Sequence, residues 1–434
     1  MAKITPEETQ VFFLYNLKKD KYIWYGCVHK ASTVVYFVMK NNMRGFFVKK
    51  LKGFLIGLVL AIITVFIIVP IHIRTIHDYY SVPDNRVRYN TSYFKYKSRK
   101  ILEANIDSNT HLLLGSSELS VASNKDFHPS QMFNYNDFHL MEVGGGYFQN
   151  IIHAATLASL EPLIPEKKVA IIESLTWFDQ TGMRKDAFES RISKEHVYYT
   201  LINPKLTKET KLKFINRVIE LSSKNASLKN SFERYKKVLV EGEGSELDRI
   251  VIKFELEKYS LDMIQSFYAE HSVKDKPSKG EKMPDYNWDE VLSSNEKNAK
   301  LSTSTNEYHF DDWYYKKNIQ GKLDSLKNSA STFKYTESPE YEDFKLFLQM
   351  AKELGMDILV VTFPVNGPWY DYIGIDSYQR ETFAKKVNEI VKESGVKQVD
   401  LTQHDYDPYY IWDATHPGWK GWPLVEKELV QFFK

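Results

Sequence analysis

Three short stretches of the 434-residue chain hold residue types that could carry acyl chemistry. In Leu112–Ser120 (LLLGSSELS) an apolar run leads into Gly115, then Ser116 and Ser117, then Glu118. A serine on a strand-to-helix turn at the carboxyl edge of a sheet presents its hydroxyl to the crevice where α/β proteins bind ligands. Taken alone, the plainer reading is that Ser116 or Ser117 caps the following helix. Near the other end, Trp412–Trp422 (WDATHPGWKGW) holds Asp413 and His416 three residues apart. A serine hydroxyl needs an imidazole to take its proton, and the imidazole needs a carboxylate to set its tautomer and stabilise its charged form. The alternative is a surface turn before a final helix. The third stretch, Val143–Asn150 (VGGGYFQN), follows another apolar run. Its glycines let backbone N–H groups approach a ligand closely, as an oxyanion site demands, and Gln149 or Asn150 could add a side-chain donor. A flexible turn is the plainer reading. Two further loops, Glu173–Asp179 and Pro364–Gly374, bring Trp177, Asn366, Trp369 and Tyr370 as candidate substrate contacts, though such aromatics more often pack. No metal-ligand spacing stands out, and neither phosphate-loop pattern, GxxxxGK[ST] or GxGxxG, is present.

These loops need a scaffold that collects them at one edge. Short, almost continuous apolar runs at His111–Leu114, Val169–Ile172, Ile358–Thr362, Val396–Leu401 and Phe138–Val143 are expected to be strands buried on both faces of a parallel sheet. Helical patterns lie between and after them, at Gln149–Leu160, Tyr341–Leu354, Ser377–Ser394 and Trp419–Phe433. The alternation argues for an α/β fold with a parallel sheet flanked by helices. Residues 186–330 are expected to form a mostly helical insertion, with 273–310 a long surface loop.

Lys+Arg 58 against Asp+Glu 56 gives 58 − 56 = +2, too balanced for a nucleic-acid binder acting through bulk charge. The single cysteine, Cys27, excludes an intramolecular disulfide framework. Gly53–Ile71 runs for 19 residues without a charge, long enough to cross a bilayer core of roughly 30 Å as one helix. Lys40, Arg44, Lys49, Lys50 and Lys52 crowd its amino-terminal side, so residues 1–52 are expected in the cytoplasm, 53–72 as a transmembrane anchor and 73–434 outside. No A-x-A-like site follows, which points to an uncleaved anchor. MRGFFVKKLK from Met43 would itself make a good basic start for that anchor, and residues 1–42 are then an upstream extension.

The order Ser…Asp-x-x-His, with the last two near the C-terminus, resembles the SGNH (GDSL-like) hydrolase superfamily. Gly115-Ser116-Ser117 stands where that superfamily has Gly-Asp-Ser, so Ser117 matches the nucleophile by position and Ser116 is the runner-up. The apolar anchor, GSSEL, the glycine-rich block followed by Gln149, the Trp177-Phe178 pair, PVNGPWYDYIG and DATHPGWKGW together resemble the DltD family, from residue 43 to the C-terminus. That family is membrane-anchored and serves D-alanylation of teichoic acids in Gram-positive bacteria. The resemblance implies Ser117 as nucleophile, His416 as general base and acid, Asp413 as its orienter, and Gly145, Gly146 and the Ser117 amide as oxyanion donors. It further implies D-alanyl transfer to lipoteichoic acid through an acyl-serine, with no cofactor or metal. Its implied partners are an acyl-carrying small protein and a membrane-bound O-acyltransferase. An esterase or thioesterase, or a non-catalytic scaffold of the same machinery, is the alternative. The superfamily's third-block Asn has no G-x-N-D counterpart in this sequence.

Overall fold

Five short apolar runs become five parallel strands: β1 (Thr110–Gly115), β2 (His139–Gly144), β3 (Lys168–Glu173), β4 (Asp357–Thr362) and β5 (Lys397–Asp400). The computed structural model describes residues 48–68, 71–72, 74–75, 85–121, 126–270 and 280–434. Cys27, Met43 and the rest of 1–47 lie outside the described residues. The chain divides into two units, residues 1–76 and 77–434.

The strand order in the larger unit is β2-β1-β3-β4-β5. Alternate residues feed two separate cores. Leu112, Leu114, Val169, Ile171, Ile358 and Val360 face one, and Leu113, Ala170, Ile172, Leu359 and Val361 face the other. Helices Asn150–Leu160, Glu340–Leu354 and Ser377–Ser394 cover the first face, and Gly421–Phe433 covers the second through Trp422, Val425 and Leu429. Burial on both faces explains why the central strands show no polar alternation. At the sheet edge, β5 is only half-buried, which is why its run is the least apolar of the five. Gly355 and Gly395, with φ of +70° and +71°, end two of these helices and turn the chain into β4 and β5.

Between β3 and β4 the described residues form helices and no strand. The polar stretch expected as one long loop instead contains a helix, Trp288–Ser302. Its N-cap Asn287 accepts from the Glu290 N–H, and Asp289 and Glu290 favour the positive end of the helix; these local signals outweigh the polar composition.

In the smaller unit, an α-helix (Val48–Ile63) runs into a π-helical turn (Thr64–Ile68). Phe54, Ile56 and Val59 on this helix are more than half exposed. Among the described residues no helix is long and apolar enough to cross a membrane, and residues 69–70 of the apolar stretch lie outside them.

β1 and β2 are in register to their last residues, Gly115 opposite Gly144. A Cβ on Gly144 would overlap the Gly115 carbonyl group. Gly144→Ala therefore forces two backbones apart just below the serine loop. It is expected to lower stability by about 1–3 kcal/mol, read as a fall in thermal midpoint; an unchanged midpoint would contradict this packing.

Candidate active site

In the order 2-1-3-4-5, connections leave β1 and β3 toward opposite sides, opening a crevice beyond their carboxyl ends. β1 delivers Ser116 and Ser117 to that place, and the short helix Glu118–Val121 follows at once. The loop from β5 to the last helix brings Asp413 and His416 to the same point. His416 Nε2 lies 2.9 Å from Ser117 Oγ, across 299 positions of sequence. His416 Nδ1 is 2.7 Å from Asp413 Oδ2 and 3.0 Å from Oδ1.

The Asp413–His416 loop is held from within and from outside. Asp413 Oδ1 accepts the backbone N–H groups of Thr415 and His416, each at 2.8 Å. The Trp412 N–H donates to the His416 carbonyl at 2.8 Å, and Ile411 bridges Pro417 antiparallel. From the helical segment between β3 and β4, the Asp311 N–H donates to the Trp412 carbonyl at 3.0 Å, and the Tyr314 ring meets the Trp412 indole. The insertion therefore buttresses this loop. Sequence gave no hint of that, because Asp311 and Tyr314 belong to no pattern tied to Trp412.

Burial of the His416 ring works against its charged form, but the hydrogen bond and charge of Asp413 outweigh it, so its pKa is raised above the ordinary imidazole value. Asp413 is buried, and the His416 side chain is 15% exposed, enough for a substrate to reach.

The two serines part company. Ser117 is half-buried and meets His416, whereas Ser116 is buried and its hydroxyl donates to the Gly145 carbonyl at 3.1 Å. That bond ties the serine loop to the glycine-rich loop. The Ser116 N–H donates to Glu118 Oε1 at 2.5 Å. Glu118 is buried, and burial raises its pKa despite that bond. Sequence reasoning assigned Glu118 no role; an acid directly after the serines was the available signal. Glu118→Ala leaves a buried N–H without its acceptor and is expected to cost about 1–3 kcal/mol, checked by chemical denaturation.

A family model described as DltD protein matches residues 86–434. The chain belongs to the DltD family. Protein DltD of Bacillus subtilis (strain 168) is 31% identical over 327 residues, covering 74% of this chain and 82% of that protein. Protein DltD of Staphylococcus aureus (strain NCTC 8325 / PS 47) is 28% identical over 391 residues, 89% of this chain and 97% of that one. Protein DltD of Lacticaseibacillus rhamnosus is 25% identical over 331 residues, 74% and 77%. The sheet is consistent with the SGNH-like superfamily to which the DltD motifs point.

The remaining candidates of this DltD-family chain sit in packed or bonded positions. Gln149 is the N-cap of helix Asn150–Leu160, and its Nε2 donates to the Trp177 carbonyl at 3.2 Å. Trp177 is buried against His153. Asn366 caps helix Gly367–Ile373 and donates from Nδ2 to the Tyr308 carbonyl at 2.6 Å. Trp369 is buried among Tyr308, Phe310 and Tyr372, and Tyr370 is buried beside it.

Proposed function

We propose that this protein is a membrane-anchored serine O-acyltransferase that places D-alanine on lipoteichoic acid through an acyl-serine intermediate. Membership of the DltD family carries the general role, D-alanylation of teichoic acid in the Gram-positive cell wall. The observation behind the chemistry is the unbroken relay from Ser117 Oγ through His416 to Asp413, 2.9 and 2.7 Å long.

In the first half-reaction the Ser117 hydroxyl gives its proton to His416 Nε2 as Oγ attacks the carbonyl carbon of the donor's D-alanyl group. Charge on the tetrahedral oxygen falls to the Ser117, Gly145 and Gly146 amides. His416 returns the proton to the leaving group as the old bond breaks, and Asp413 steadies the imidazolium between the two events. A polyol hydroxyl of the acceptor then repeats the sequence in reverse, and Ser117 leaves with its proton. Each acyl group adds an ammonium to a polyanion and lowers the negative charge of the envelope. An acyl-carrying small protein and a membrane-bound O-acyltransferase are the proposed partners upstream. The apolar stretch 53–72 is the proposed anchor, with 73–434 at the outer face and 1–52 in the cytoplasm. The run of exposed Phe54, Ile56 and Val59 supports it.

Isotope-labelled D-alanine traced in cells carrying wild type or Ser117→Ala tests the reading. Label in the polymer with wild type and none with the variant is the expected result. Label released as free acid by the purified protein would make it an esterase instead, and equal incorporation by both proteins would leave it a scaffold.

A further inference from the structure

The glycine-rich loop carries a second set of side chains on its outer side. The Tyr93 ring covers Gly145, where an added Cβ would lie 2.8 Å from Tyr93 Cε1. The Arg191 guanidinium lies over that ring, 3.7 Å from its centre, and its Nε donates to the Gly146 carbonyl at 2.9 Å. Arg191 Nη1 bonds Ser190 Oγ at 3.0 Å, and Lys97 Nζ bonds the Ser190 carbonyl at 3.1 Å, so the two cations converge on one residue. Among the described residues neither cation has a carboxylate within ion-pair distance, and Arg191 Nη2 has no hydrogen-bond partner. Burial, and then the nearby Arg191, lower the Lys97 pKa to about 8. Close by, Tyr147 is 48% exposed at φ +68°, with the Arg184 guanidinium over its ring.

Two uncompensated cations beside a loop bonded to Ser116 form an arrangement that lacks an anion. A guanidinium already anchored by Nε and Nη1 keeps its remaining edge for an oxyanion, and stacking on Tyr93 holds its plane in place. Resting on the acyl-transfer reading above, we infer that Arg191 and Lys97, set on Tyr93 beside Gly145 and Gly146, form a subsite for a phosphodiester oxyanion of the acceptor chain. In a polyol phosphate every hydroxyl lies within one repeat of a phosphate. A hydroxyl presented to Ser117 therefore brings a neighbouring phosphate to this surface, and the subsite would select polymer over free polyol and water. The phosphate of a phosphopantetheine arm on the donor side offers the same chemistry, but it presents one phosphate at the end of a long arm rather than one per repeat.

The test is equilibrium binding of a short poly(glycerol phosphate) to the full-length protein in detergent micelles, in a Ser117→Ala background that prevents turnover. Arg191→Gln is expected to weaken binding about tenfold and Lys97→Gln about threefold. The slope of log affinity against log salt should fall by roughly one for each cation removed. Arg191→Lys, which keeps the charge and a donor for Gly146, should recover most of the salt slope and guards against a folding defect. Unchanged affinity and slope in Arg191→Gln/Lys97→Gln, or no recovery with lysine in a protein melting like the parent, would overturn the inference. So would phosphopantetheine, rather than the diester, losing affinity in Arg191→Gln. The catalytic reading fails separately, if the Ser117→Ala protein still acylates polymer while binding keeps its dependence on Arg191.

Discussion

Ser117→Ala is expected to abolish labelling by a fluorophosphonate and to lower acyl transfer by at least about 10³-fold, leaving binding and electrostatics as the residual catalysis. The protein should remain folded, because Ser117 is half-buried and donates to no core group; a near-wild-type thermal midpoint checks this. Ser116→Ala provides the contrast. Its hydroxyl bridges to the Gly145 carbonyl rather than to His416, so a few-fold loss with labelling retained is expected. The two adjacent serines thus give opposite results in one assay. Labelling that survives in Ser117→Ala and vanishes in Ser116→Ala would reassign the nucleophile.

The second large effect belongs to Asp413→Asn and has a pH signature. A general base acts in its neutral form, so the rate falls as pH drops through the His416 pKa. Burial depresses that pKa, but the Asp413 hydrogen bond and charge raise it further, so the acid limb should lie above the ordinary imidazole value of about 6.5. Asparagine removes the charge and can present an N–H to Nδ1, favouring the wrong tautomer. A rate loss on the order of 10³–10⁴ is expected, with the acid limb moving to lower pH. A full pH–rate profile of wild type and variant decides. An acid limb that stays in place would mean that Asp413 does not set the proton affinity of His416, whatever the rate.

The parts of this fold visible in the sequence are those that obey local rules. β1, β3 and β4 are short apolar runs because both of their faces are covered, and helix Ser377–Ser394 is bracketed by Asp376 and Gly395, which cap its two ends. The Asp413–His416 spacing is local as well: one turn of chain places the carboxylate on the ring. Other features were illegible because they depend on contacts between distant segments. Ser116 and Ser117 are the same residue type in the same turn; position within the motif favours Ser117, but their different contacts depend on His416 and Gly145 arriving from elsewhere. Trp369 and Tyr370 belong to the helix Gly367–Ile373 that follows β4, and the burial of Trp369 against Tyr308 and Phe310 depends on a segment whose path the sequence does not specify. Helix Trp288–Ser302 lay hidden in a polar stretch because its composition resembles that of a loop while its cap does not.

The reach of 299 positions between Ser117 and His416 has a bearing on how such a protein is made. While synthesis proceeds, a chain that has passed residue 117 but not yet reached residue 416 holds the serine and lacks the imidazole. A polypeptide of that length cannot form the Ser117–His416 contact and lacks the base that would activate its serine. The pair forms only once the loop that carries His416 packs against the sheet, so a product that ends before His416 lacks the relay.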